Sequence, residues 1–177
     1  MIERYTRPAM GRIWTEENKL AKWLEVELLA CEALAERDEV PRDAVGRLRQ
    51  RAQVNVARMQ EIEAQTKHDV IAFVSSVAET VGEEGRYLHL GLTSSDVIDT
   101  GFAVQLCEAS DLLVTDLDSL LGVLKRLAQS YKHTVMIGRT HGVHAEPITF
   151  GLKAAHWYAE MARNRARLVQ ARQEIAF

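Results

Sequence analysis

Residues 93–131 read TSSDVIDTGFAVQLCEASDLLVTDLDSLLGVLKRLAQSY, and the reading of that stretch decides the fold. Apolar side chains recur every three or four positions at Ile98, Phe102, Leu106, Ala109, Leu113, Leu117, Leu120, Leu124, Leu127 and Tyr131, with no proline among them. This is helical spacing. It predicts one helix of about ten turns, roughly 55 Å long at 1.5 Å per residue. That exceeds what a small globular domain uses, so the stretch points to an elongated bundle. At its start Thr93, Ser94, Ser95 and Asp96 offer several possible caps.

Upstream, Thr15 followed by Glu16 and Glu17 predicts an N-cap with acids in the first turn, where the helix dipole favours them. Leu20, Trp23, Leu24, Leu28, Cys31 and Leu34 then mark one helical face as far as the Glu39-Val40-Pro41 break. Pro41 suits a first helical position, and Val45, Leu48, Ala52, Val56, Met59 and Ile62 predict shorter helices up to about Ala64. A further helix is predicted from Asp69 to Val81, stopped by Gly82. Residues 82–94 break the periodicity. The predicted architecture is all-α, with a small helical domain over residues 1–92 and the first long helices of a bundle over residues 93–177. A polar loop, GRTHGVHAEP at 138–147, is expected to separate the long helix from a second one that Pro147 opens, with Phe150, Ala154, Trp157, Met161, Leu168 and Ile175 on its face. Two long amphipathic helices leave much apolar surface uncovered, which predicts an obligate oligomer or the N-terminal part of something larger.

Composition narrows the function. With 22 Lys+Arg against 25 Asp+Glu the formal charge is -3, so there is no global field of the kind that recruits nucleic acid or acidic lipid. Arg163, Arg165, Arg167 and Arg172 point in different directions around the last helix and read as a solvated or interhelical face. Cys31 and Cys107 fall on apolar helical faces and read as reduced core residues. No apolar leader opens the chain and no stretch approaches a membrane span, so the expected compartment is the cytoplasm.

Four polar clusters lie outside the apolar stripes: Arg4-Tyr5, TKHDV at 66–70, LHLGLTSSD at 88–96, and the GRTHGVHAEP loop. Lys67, His68 and Asp69 sit at a helix start, where free backbone N–H groups favour an anion; capping by Thr66 or Asp69 is the plainer alternative. The TSSD hydroxyls offer a carboxylate or phosphate site, or simply caps. In the loop, Gly138 and Gly142 permit backbone conformations that bring His141 close to a ligand, and Thr140 beside it can hydrogen-bond a carboxylate. Imidazole exchanges protons near neutral pH, which suits protonation of a leaving nitrogen or removal of a proton from carbon. His141 and His144 with nearby Glu146 also have an HxxH spacing, but no HExxH helix or cysteine cluster supports a metal, and none is expected. His133 and His156 read as ordinary polar positions on helices.

Taken in order, these clusters resemble the adenylosuccinate lyase family of the fumarase/aspartase superfamily. TKHDV, HLGLTSSDVIDT and GRTHGVHAEPITFG carry the resemblance, which covers essentially the whole chain. It implies a cofactor-free β-elimination of fumarate from adenylosuccinate, giving AMP, and from the succinylated imidazole carboxamide ribotide, giving AICAR. By the same resemblance His141 is the general acid with Thr140 beside it, and Thr93 and Ser94 hold a fumaryl carboxylate. His68 is the second catalytic residue and lies near the substrate with Lys67 and Asp69; His89 contributes to the same pocket; Arg4 and Tyr5 bind the nucleotide phosphate. The family works as a homotetramer whose active sites draw on three subunits, and it carries a downstream serine loop and lysine motif that this sequence lacks. The expectation is therefore that the 177-residue chain alone is inactive. The rivals are another fumarate-forming lyase and a helical oligomerisation module without chemistry.

Overall fold

The computed structural model describes residues 2–176 of the chain. Two compact units emerge, residues 1–106 and 107–177. The first holds a 3-10 turn at Glu3–Tyr5, helices α1 (Pro8–Ile13), α2 (Glu16–Glu36), α3 (Arg42–Arg51), α4 (Val56–Thr66) and α5 (Asp69–Val81), a 3-10 stretch at Gly82–Tyr87, and the opening of α6 (Ser94–Ser130). The all-α expectation holds, and α6 is the single long helix that its spacing predicts.

Local chemistry sets the boundaries of these helices. Thr15 caps α2, its hydroxyl accepting from the Asn18 N–H at 3.2 Å. Pro41 is the N-cap of α3 and not its first helical residue. Gly82 ends α5 at φ 73°, a conformation that glycine adopts freely. The α2 stripe of Leu20, Trp23, Leu28 and Cys31 is buried against Val70, Phe73 and Val77 of α5. Trp23 and Phe73 meet edge-on with ring centroids 5.5 Å apart, the offset geometry that the ring quadrupoles favour.

Helix α6 enters this core differently from its expected face. Val97, Gly101 and Gln105 are the buried residues of its first turns, while Phe102 is 50% exposed. Gly101 explains the rotation. A Cβ there would lie 2.8 Å from Trp23 Cδ1, so the backbone of α6 packs directly on the indole. Gln105 is buried because its amide finds a partner, donating to the Ile13 carbonyl at 2.6 Å.

The second unit contains the rest of α6, strands β1 (Val135–Thr140) and β2 (Val143–Thr149), and α7 (Phe150–Glu174). Helix α7 runs back along α6. Arg172 grips Asp111 through Nε and Nη2 at 3.0 and 3.1 Å, and Arg165 grips Asp118 at 2.5 and 3.0 Å. Each guanidinium holds its carboxyl below the usual carboxylate range, through the hydrogen bond first and the charge second. Two of the four late arginines are thus interhelical.

The segment expected as a loop is an antiparallel hairpin. Val135 pairs with Thr149 and Thr140 with Val143, leaving a two-residue turn at His141-Gly142 with φ 50° and 73°. Positive φ at both central positions is the type I′ geometry whose twist matches the strands, and β-branched Val135, Ile137, Val143 and Ile148 suit the flanks. Pro147 lies within β2, opposite Ile137, and does not open the helix. In a two-stranded sheet both strands are edges, so the missing N–H is tolerated. Thr149 caps α7 instead, accepting from the Leu152 N–H at 3.1 Å. His133 stands in the turn after α6, not on a helix.

The junction of hairpin and helix is tight at Gly151. A Cβ there would lie 2.5 Å from Lys132 Cα and 2.6 Å from the Ala128 carbonyl oxygen. Helix propensity alone would make Gly151→Ala stabilising by about 1 kcal/mol. The backbone clash reverses that sign, and we expect a net loss of about 1–3 kcal/mol in urea unfolding. A raised midpoint would show that the junction yields.

Candidate active site

Four of the candidate residues share one cleft. His68, His89, Thr93 and Ser94 line a cavity of about 310 Å³ in the first unit, closed on one side by apolar groups of α5 such as Ile71 and Val74. The termini of α5 and α6 bring them there. His68 is the N-cap of α5, with Nδ1 accepting from the Ile71 N–H at a long 3.4 Å. Neither Thr66 nor Asp69 caps the helix; the Asp69 carboxylate accepts from the adjacent Val70 N–H at 2.7 Å. At the start of α6, Asp96 Oδ2 accepts from the Thr93 N–H at 2.8 Å, which fixes the entry of that helix beside the cleft.

Left-handed backbone recurs among the candidate residues. Among the described residues, the non-glycine residues with positive φ are Asp38, Lys67, His89 and His141. Three of the four are candidate site residues. A left-handed conformation costs a side-chain-bearing residue roughly 1–3 kcal/mol, and such strain gathers where function needs a particular side-chain direction. Lys67 adopts it as the C-cap of α4, its N–H donating to the Glu63 carbonyl at 2.8 Å, and borders a separate depression with Gln60 and Glu63. Arg4 and Tyr5 stand exposed on the first 3-10 turn, the guanidinium 4.8 Å from the ring centroid, and do not line the cleft.

One residue behind the cleft escaped the sequence reading. Glu27 of α2 is 1% exposed, and its carboxylate receives the His89 backbone N–H at 2.6 Å and stands 2.7 Å from His89 Nδ1. The signal was present: Glu27 interrupts the apolar stripe between Trp23 and Leu28, a place where a carboxylate survives only with partners. Cys31, one turn on, shows the same environment. Its thiol is pushed up to about 11 by burial first, then by the charges of Glu27 and Glu32. The folded state therefore keeps the proton where an unfolded chain would release it, so Cys31 lowers folding stability as pH climbs from about 9 towards about 11. In the native protein at pH 8 Cys31 should resist alkylation while half-buried Cys107 reacts, as mass spectrometry of the labelled peptides would report. Equal labelling would mean that the core opens locally.

In the second unit, His141 and Thr140 stand exposed at the hairpin tip, with Arg139 opposite His144 in the ladder. Gly138 lies at the register shift between Ile137 and Arg139, and a Cβ there would meet the Glu146 carbonyl oxygen at 2.7 Å. A larger cleft of about 600 Å³ runs beside the hairpin and the first turns of α7, with Arg139, Lys153 and His156 among mainly apolar groups. No group of three or more His, Cys, Asp or Glu that could hold a metal occurs among the described residues. Likewise, no described helix is long and apolar enough to cross a membrane.

Histidines and hydroxyls at helix starts line the cleft of the first unit, and a histidine tips the hairpin of the second. The chain belongs to the lyase family, which it matches over residues 3–177. It is 53% identical over 176 residues to an adenylosuccinate lyase of Synechocystis sp., a match covering 99% of this chain and 41% of that protein. To the adenylosuccinate lyase of Aquifex aeolicus it is 52% identical over 180 residues, again 41% of that protein. The chain thus spans about two-fifths of the length of these curated relatives. Among solved structures, the 3-carboxy-cis,cis-muconate lactonizing enzyme of Pseudomonas putida superposes with a TM-score of 0.88 at 32% identity, covering 97% of this chain and 41% of that one.

Proposed function

We propose that the whole protein containing this chain is an adenylosuccinate lyase. A base takes a proton from the succinyl CH₂, the electron pair forms the new C=C bond, the C–N bond breaks, and the departing nitrogen receives a proton. Fumarate and AMP result; the succinylated imidazole carboxamide ribotide gives fumarate and AICAR by the same steps. Loss of the proton places negative charge on the neighbouring carboxylate, so fixed donors are needed there. The Thr93 and Ser94 hydroxyls take that role, His141 protonates the nitrogen with Thr140 at its side, His68 and His89 line the substrate pocket, and Lys67 and Asp69 lie near the substrate. Arg4 and Tyr5 bind the phosphate, for which a guanidinium fork is suited.

The observation that carries this reading is the gathering of His68, His89, Thr93 and Ser94 in one cleft, in a chain 53% identical to a protein of that name. Exposed Leu113, Leu120 and Trp157 on the long helices support assembly, proposed as a homotetramer with shared sites in the cytoplasm. We keep the proposed division at 92/93 between the small domain and the bundle. The test is fumarate formation followed by absorbance on adding adenylosuccinate to the whole protein. The likeness to the muconate enzyme favours one alternative, a family member acting on a different carboxylic acid. Turnover of such an acid with none of adenylosuccinate would establish it.

A further inference from the structure

We propose that Glu27 is a positioning residue of this site, fixing the tautomer and direction of His89 so that its Nε2 is the atom offered to a ligand in the cleft. The proposal rests on the reading of the cleft as the substrate site. Its grounds lie in two hydrogen bonds. Glu27 Oε2 accepts from the His89 backbone N–H at 2.6 Å, while Oε1 stands 2.7 Å from the His89 ring at Nδ1. With Glu27 as a carboxylate both of its oxygens accept, so the ring donates from Nδ1. In a neutral ring the lone pair then sits on Nε2. Nothing else in the pair is free to adjust: the Glu27 side chain is 1% exposed, and His89 is held at φ 62°. A carboxylate behind a working histidine is the general way in which a ring is oriented and its tautomer chosen.

The second histidine of the cleft is set the opposite way. His68 Nδ1 faces the Ile71 N–H at 3.4 Å, with Asp69 Oδ1 3.6 Å from the same nitrogen; where the ring is neutral and accepts from that N–H, its proton sits on Nε2. With both rings neutral and so set, the cleft of about 310 Å³ offers one imidazole donor and one imidazole acceptor beside Thr93 and Ser94. Such a pair reads a ligand carrying both an acceptor and a donor, and equal tautomers would not. A glutamate that merely filled core space would leave this polarity unset.

Glu27→Gln separates the two roles at almost constant shape. The His89 backbone N–H can only donate, so the amide oxygen must turn towards it. The amide NH₂ then faces Nδ1 and demands its lone pair. The proton moves to Nε2, and the cleft acceptor becomes a donor. Two-dimensional ¹⁵N spectra of the ring nitrogens should show the Nδ1–H tautomer for His89 in the 177-residue chain and the Nε2–H tautomer in Glu27→Gln. In the whole protein the same substitution should raise KM for adenylosuccinate about 10- to 100-fold, the usual range for losing the partner behind a ligating histidine. An Nε2–H tautomer in the unaltered chain, or an unchanged tautomer in the variant, overturns the proposal. Should Glu27→Gln fail to fold, the spectrum of the unaltered chain decides alone. Absence of adenylosuccinate turnover by the unaltered whole protein would instead remove the proposed function and leave the tautomer result standing.

Discussion

His141→Asn in the whole protein is expected to lower kcat for adenylosuccinate by about 10²- to 10⁴-fold, the usual contribution of a positioned general acid. Asparagine is chosen for the backbone. Position 141 holds φ 50° in a two-residue hairpin turn, a conformation that asparagine tolerates nearly as well as glycine and that a β-branched residue would resist. The variant therefore keeps the turn and deletes the exchangeable ring proton, so a loss of rate reports chemistry and not a collapsed hairpin. His144→Asn supplies the control. Its backbone pairs with Arg139 in the ladder three residues away, and no comparable loss is expected. Rates come from fumarate absorbance, and circular dichroism checks that both variants retain the helical content. A His141→Asn protein with undiminished kcat would remove His141 from the role of acid and direct attention to His68.

The contrast between hairpin and cleft shows which parts of the molecule its sequence discloses. Helices with strong apolar spacing were legible, as were the Thr15 cap and the Gly82 stop, because each rests on contacts within a few residues. The hairpin was not. Its glycines and proline read as loop punctuation, whereas the structure uses Gly138 to let a carbonyl approach, Gly142 to complete a type I′ turn, and Pro147 on an edge that needs no donor. In the first turns of α6 the buried line is offset by one position from the apolar one for a related reason, whereas Ala109 and Leu124 of the apolar line are buried as expected. Gly101 and Gln105 carry no hydrophobic signal, yet they are buried because an indole lies against one and a carbonyl 92 residues earlier receives the other. Glu27 belongs with them. Its partner is 62 positions along the chain, so only tertiary structure could disclose what a charge in an apolar stripe was for.

Phe73→Ala is expected to cost about 3–5 kcal/mol, the range for emptying a fully buried aromatic site. Phe73 is 1% exposed at the centre of the first unit's core, against Trp23, which in turn supports the α6 backbone at Gly101. The cavity would therefore weaken the α2–α5 contact and the seat of α6 together. Both matter for the site, since α2 carries Glu27, α5 begins after His68, and α6 begins at Ser94. A domain of this kind has only about 5–15 kcal/mol of total stability, so the loss is a large fraction of the whole. Urea unfolding monitored by tryptophan fluorescence should show a lower midpoint with a similar slope, because the surface exposed on unfolding hardly changes. Phe102→Ala provides the comparison on a residue of the same type that is 50% exposed and touches Trp14 at a centroid distance of 6.1 Å. Its loss should be smaller by 2 kcal/mol or so, since less apolar area returns to water and no closed cavity forms. Equal losses at the two positions would mean that the exposed face of α6 is covered in the assembled protein, and the comparison would then measure that interface.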